Sequence, residues 1–233
     1  MQFLVQSSAK FLRLLRQYQF IPLFAQSVIA CALLLGRMMM TGDDYYEFLV
    51  WNLFLAWIPY GLALGMQLVA AQLPGHNWLL FALGGLWLLF LPNAPYMMTD
   101  LKYLSTMDFT WWYEIGVLMA FVWNGWMLGL VALQVVQNLV RERLGGGWSW
   151  LFVLCSISLA GLGVYIGRFF RWNSWDIVFH PKSLALGLID ALFNPAYADR
   201  AIGVIGLVVL LYFLSYCALP LYQLPQSRPS ATR

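Results

Sequence analysis

The chain has 233 residues, of which 62% are hydrophobic and only 10% charged, with 13 basic against 10 acidic side chains and a mean hydropathy of +0.71. A soluble domain carries about 25% charge, so these proportions exclude one and describe a protein that lives across a membrane. The net charge of +3 does not point to nucleic acid, because the basic residues stand at loop ends and chain ends, where membrane proteins keep them.

In residues 1–17, Phe3, Leu4, Phe11, Leu12, Leu14 and Leu15 alternate with Lys10, Arg13 and Arg16. Such a basic amphipathic segment suits a helix lying on a cytoplasmic membrane surface, and it serves equally as a charged lead-in to the first span. Val28-Ile-Ala-Cys31 resembles a lipidation site, but the apolar run simply continues through Ala32 to Leu35, which a cleaved signal would not do. Cys31, Cys155 and Cys217 all fall in apolar runs and form neither a disulfide framework nor a zinc spacing, so buried thiols are expected.

Residues 18–222 read as one transmembrane domain, followed by a polar tail at 223–233. Its apolar runs lie near Phe20 to Leu35, Phe48 to Ala71, Trp78 to Leu91, Trp111 to Val136, Trp148 to Gly167 and Ala201 to Leu221. The fold class is therefore all-α, a polytopic bundle of about six transmembrane helices with an interfacial amphipathic segment. Trp51, Trp78, Trp111, Trp112, Trp148 and Trp150 stand near the span ends, as an interfacial belt requires. Glycine pairs at Gly61/Gly65, Gly125/Gly129 and Gly163/Gly167 permit close helix packing inside the bundle. Asn52 and Asn124 are expected to bond between helices, and Glu114 to favour the positive end of the fourth helix.

With the amino terminus inside, both termini are cytoplasmic, together with seven of the 13 basic residues: Lys10, Arg13, Arg16, Arg141, Arg143, Arg228 and Arg233. This bias becomes clear only once Arg168 and Arg171 are set aside. Those two belong to the second of two polar blocks at span ends, Leu91-Pro-Asn-Ala-Pro-Tyr-Met-Met-Thr-Asp100 and Gly167-Arg-Phe-Phe-Arg-Trp-Asn-Ser-Trp-Asp176. Two crossings separate the blocks, so they emerge on the same face and can meet.

The third run holds about 14 residues from Trp78 to Leu91, roughly 21 Å of helix against a hydrocarbon core of roughly 30 Å. Either it begins earlier, near Leu73, or it continues through Pro92 and Pro95 and carries Asn93 into the membrane. The second course frees the carbonyls of Leu88 and Leu91 and sets Asn93, Tyr96 and Asp100 on one helical face. In the second block Arg168, Arg171 and Trp172 share a stripe, with Asn173 and Asp176 following. Two guanidiniums so placed can fork a phosphate or carboxylate; they can equally neutralise Asp100 and Asp176 as an internal ion-pair network.

Ser183 to Phe193 reads as a short amphipathic helix, lid or plain surface element, and Asn194-Pro-Ala-Tyr197 faintly echoes Asn93-Ala-Pro-Tyr96. His76 and His180 are solitary, so no metal is expected, and no nucleophile, zinc or phosphate-loop motif accompanies them. No cofactor is implied. The site expected from the residues is a polar, aromatic-walled interfacial pocket of Asn93, Tyr96, Asp100, Arg168, Arg171, Trp172, Asn173 and Asp176. Its expected partners are membrane lipids and a small anionic molecule or lipid headgroup. An enzyme acting on a lipid-linked substrate, with one aspartate as base, and a structural subunit without ligand are the rival readings. Oligomeric state is not legible in the sequence.

The two blocks, Leu-Pro-Asn-Ala-Pro-Tyr with Thr-Asp-Leu at 91–101 and Gly-Arg-Phe with Arg-Trp-Asn-Ser-Trp-Asp at 167–176, resemble those of a family of bacterial multi-pass membrane proteins classified as a domain of unknown function. The resemblance runs from the second span to the last. It implies a bacterial plasma membrane and supplies no activity or catalytic residue.

Overall fold

The computed structural model describes residue 12, residues 14–73, 75–106, 111–171 and 198–219, and single positions 182, 183, 186 and 189. The amino-terminal segment up to residue 11, the proposed lid apart from residues 183, 186 and 189, the echo at 194–197, His180 and the tail at 223–233 lie outside the described residues.

Helix α1 spans Phe20–Thr41, α2 Phe48–Gln72 and α3 Asn77–Phe90. A short turn of helix, α4 at Asn93–Tyr96, runs into a 3-10 segment, Met97–Thr106. Then come α5 at Trp111–Leu144, α6 at Gly146–Tyr165 with a π-helical turn Ile166–Phe170, and α7 at Ala198–Ala218. Six stretches among the described residues are long and apolar enough to cross a membrane: Phe20–Thr41, Phe48–Gln72, Asn77–Leu104, Trp111–Leu144, Gly146–Phe170 and Ala201–Ala218. The protein is an all-α polytopic bundle.

The third crossing takes the course through the prolines. Alone, α3 is too short; carried through α4 to Leu104 in the 3-10 segment, the crossing reaches 28 residues. Pro92 has no N–H, so the helix tightens instead of ending: Ala94 N–H donates to the Leu91 carbonyl (3.2 Å) and Tyr96 N–H to the Pro92 carbonyl (3.0 Å). The carbonyl of Leu91, expected to be left open, is thus taken. Asn93 Nδ2 caps a neighbouring one, that of Phe90, at 3.0 Å.

Helix α5 is the hub, against which α1, α2, α4, the 3-10 segment and α6 all pack. Two-thirds (67%) of its apolar stretch is buried, against 22% for that of α1. Lipid tails are as apolar as leucine, so what gathers helices here is close fit and interhelical hydrogen bonding. Both are present. A Cβ on Gly129 would stand 2.5 Å from the Ala94 methyl and overlap the Tyr212 hydroxyl, one on Gly125 would sit 3.2 Å from the Ala94 carbonyl oxygen, and one on Gly163 would meet Pro92 Cγ at 2.5 Å. The broken segment is therefore wedged between glycine notches on α5 and α6. Around it Gln67 Nε2 donates to the Val135 carbonyl (3.0 Å), Asn124 Nδ2 to Ser27 Oγ (2.6 Å) and the Tyr216 hydroxyl to Gln137 Oε1.

Three expectations need correction. Gly61 and Gly65 have nothing within 4 Å of a Cβ, so that pair makes no close approach. Cys155 and Cys217 are exposed and only Cys31 is half-buried; an apolar run does not distinguish a bundle-facing from a lipid-facing thiol. Helix α5 continues two turns past Val136, through a stretch in which Gln137, Leu139, Arg141, Glu142, Arg143 and Leu144 favour helix, with Arg141 and Arg143 at the negative pole. The six tryptophans near span ends are exposed, Trp112 by 70%.

Candidate functional site

The two blocks meet at one end of the bundle. A 3-10 helix repeats every three residues, so Met97, Asp100 and Tyr103 stack on one edge: Met97 is fully buried in the core, and Asp100, one turn on, is carried inward with it, 1% exposed. Arg168 approaches from the end of α6, where the helix widens into its π turn. One Nη donates to Asp100 Oδ1 and to the Tyr96 hydroxyl, each at 3.3 Å, and the other to the Thr99 carbonyl at 2.7 Å. The guanidinium carbon lies 5.7 Å from the centres of both the Tyr96 and Tyr103 rings, within cation–π range of each. Asn52 Nδ2, from the first turns of α2, takes the other carboxylate oxygen at 3.0 Å. Asp100 therefore has a partner on each oxygen, and Arg168 an aromatic clasp with 13% of its side chain accessible.

Of the expected site residues, Tyr96, Asp100 and Arg168 come together. Asn93 is on the same broken segment, with its amide turned back to Phe90. Arg171 is exposed and takes a left-handed backbone conformation (φ 56°, ψ 33°) at the end of the π turn, so the single α-helical stripe expected to carry both arginines is interrupted between them. Trp172, Asn173 and Asp176 lie outside the described residues.

Sequence reasoning expected Asn52 to bond between helices, as it does, but did not place it at the site, and it passed over Tyr103. It also missed a second cluster at the same end. Arg37, 6% exposed near the end of α1, donates through Nε to Glu114 Oε1 (2.8 Å) and through its two Nη atoms to Asp43 Oδ1 (2.6 Å) and Oδ2 (3.0 Å). Its guanidinium lies 4.5 Å from the centre of the Tyr46 ring. In the connection between α1 and α2, Asp43 is held below the ordinary carboxylate range by the Arg37 hydrogen bond and by the N–H of Tyr45. Burial, with Glu114 close by, pushes the Tyr46 hydroxyl up. The signal was available: an arginine just past an apolar run and followed by three methionines needs a partner, and Glu114 at the head of another run is the natural one.

Aromatic rings join the two clusters. Tyr45 lies 5.1 Å from Tyr46 and 5.9 Å from Tyr103, and Phe48 5.1 Å from Tyr103. Arg37 and Arg168 thus stand at opposite ends of one aromatic layer.

No curated protein and no solved structure matches the chain. Residues 51–214, the stretch that holds Asn52, Asp100 and Arg168, match the family model described as a protein of unknown function (DUF1361), and the chain belongs to that family.

Proposed function

We propose that this chain, a multi-pass protein of a bacterial plasma membrane with both termini cytoplasmic, recognises or passes a small anionic or amphiphilic ligand at its extracytoplasmic interface. Arg168 is the anion clamp and Asp100 its orienter. One observation carries this reading: the Arg168 guanidinium is held from behind by Asp100, the Thr99 carbonyl and the Tyr96 hydroxyl, lies against two tyrosine rings, and still keeps an accessible edge at a span end. A preset, partly desolvated arginine beside aromatic faces suits a phosphate or carboxylate on an apolar body. Arg171 and Trp172, next along the chain, are proposed as further contacts.

The test is native mass spectrometry of the detergent-extracted chain beside Arg168→Ala and Arg168→Lys. An anionic lipid or metabolite carried by the wild type, weakened in the lysine variant and lost from a folded alanine variant, is the expected result. A wild type without an adduct, beside an alanine variant that no longer folds, would replace this reading with the second: a structural subunit whose blocks lock the bundle. That reading is favoured by Asp100 having both oxygens engaged, Oδ1 by Arg168 and Oδ2 by Asn52. An enzyme using Asp100 as general base would first have to release one of those bonds.

A further inference from the structure

Helices α1 and α2 hold one another at one end and part at the other. Trp57 Nε1 donates to Ser27 Oγ at 3.0 Å, and the Phe20 and Phe24 rings lie 5.7 and 6.5 Å from that indole. Toward the end that carries both arginine clusters, a cleft of about 630 Å³ opens between the two helices. Cys31, Leu35 and Met38 line it from α1, Val50 and Phe54 from α2, and Glu47 is its one charged wall residue. Both helices pack chiefly on α5, so nothing draws these halves together. The connection between them is fixed at its start by the fork of Arg37 on Asp43.

We infer that this cleft seats one phospholipid of the adjoining leaflet, with an acyl chain between α1 and α2 and a primary ammonium headgroup on Glu47. An apolar cleft open to hydrocarbon loses dispersion contacts along its whole lining unless a chain fills it. The charge at the mouth selects the headgroup. Asp43, Asp44 and Glu47 lie in or beside the connection and Glu114 lies behind it, whereas Arg37 is already engaged by Asp43 and Glu114. Counting Lys102, over the Tyr103 ring, still leaves four carboxylates against two cations among the described residues. Such a mouth repels an anionic headgroup and attracts an ammonium that donates hydrogen bonds to a carboxylate. The preference is opposite in sign to that of Arg168, so the inference stands apart from the anion site.

The experiment titrates the full chain in detergent with phosphatidylethanolamine and, separately, with phosphatidylglycerol of the same acyl chains, reading bound lipid by native mass spectrometry. In the Arg168→Ala chain, which lacks the anion clamp, the first phosphatidylethanolamine should bind at a concentration at least fivefold lower than phosphatidylglycerol. Adding Glu47→Gln, an exposed position, should erase that preference; Leu35→Trp, which fills the cleft, should lower uptake of the ethanolamine lipid at least fivefold. Arg168→Ala should show the ethanolamine preference while losing any anionic adduct, so the two sites fail separately. Equal uptake of both lipids by Arg168→Ala, or a preference that survives Glu47→Gln, would overturn the inference.

Discussion

Two arginines at one end of this bundle meet carboxylates in different ways. Arg37 forks both oxygens of Asp43 at 2.6 and 3.0 Å and closes on Glu114 at 2.8 Å, with 8% of its side chain left accessible. Arg168 touches its aspartate once, at 3.3 Å, and spends its shortest bond, 2.7 Å, on a backbone carbonyl. Short bidentate pairing uses up a guanidinium's directional capacity, while a single long contact steadies it without exhausting it. The first arrangement ties α1 to the start of α5, and the second leaves an edge of the guanidinium accessible, as the proposed clamp requires. Neighbouring elements supply the difference: Arg37 is fixed by a loop and a helix start, Arg168 by a helix end that has already widened into a π turn.

The largest expected effect tests the closed cluster. Arg37→Ala leaves Glu114 buried and unpaired, which costs about 3 to 5 kcal/mol, and should appear as the greatest loss of thermal stability in detergent among the arginine variants. Arg168→Ala leaves Asp100 buried but still holding the Asn52 donor, so its loss should be smaller, with loss of the ligand. If the two variants lose stability equally, the contrast between lock and clamp is wrong, and the Asp100 cluster is structural as well.

The next effect tests the wedge that aims Asp100. Gly129→Ala drives a methyl group against Ala94 and Tyr212, and overpacking of this kind costs about 1 to 3 kcal/mol. Because Ala94 belongs to the segment that continues into Asp100, ligand retention should fall as well. Gly61→Ala and Gly65→Ala, with open space around them, should change thermal stability little or raise it slightly, since alanine is the better helix former. A disturbance of similar size comes from Asn52→Leu, which strips Asp100 Oδ2 of its donor at a cost of about 1 to 3 kcal/mol and frees Arg168 to draw the carboxylate wholly to itself. Melting temperature should drop, and ligand retention should fall through loss of the clamp's accessible edge; retention that rises instead would mean that Asn52 opposes the site.

Crossings and their number were legible because a bilayer demands long apolar runs, and a run of 14 residues that falls short of the slab forces the question of where the chain goes next. That the blocks of Asp100 and Arg168 could meet was legible in the parity of crossings, which puts them on the same face. What the sequence did not disclose were matters of rotation and local winding. Gly61/Gly65 and Gly125/Gly129 look alike in one dimension, and only the placement of α5 at the centre decides which pair is used. The change from α to 3-10 winding after Tyr96 sets Asp100 above Met97 and below Tyr103, a register that i, i+4 reasoning does not produce. Arg37 was hidden differently: it stood in plain view two residues past the first apolar run, but its partners lie 6 and 77 residues away.

The smallest effect sharpens the contrast through pH. Asp43 is exposed and its carboxyl is held below the ordinary value of 3.8 by Arg37. A carboxylate whose folded value is depressed contributes stability that is fully present above the unfolded value and disappears as pH falls through the folded one. Between pH 8 and 5 the Asp43 contribution should therefore be constant, and Asp43→Asn should lower the melting temperature by the same small amount throughout, since an exposed partner is screened by solvent. Below 3.8 the wild-type curve should descend toward that of the variant. Had Asp43 been a principal member of the lock, its removal would approach Arg37→Ala in severity; a small, flat difference above pH 5 leaves the buried Glu114 as the partner that makes Arg37 indispensable.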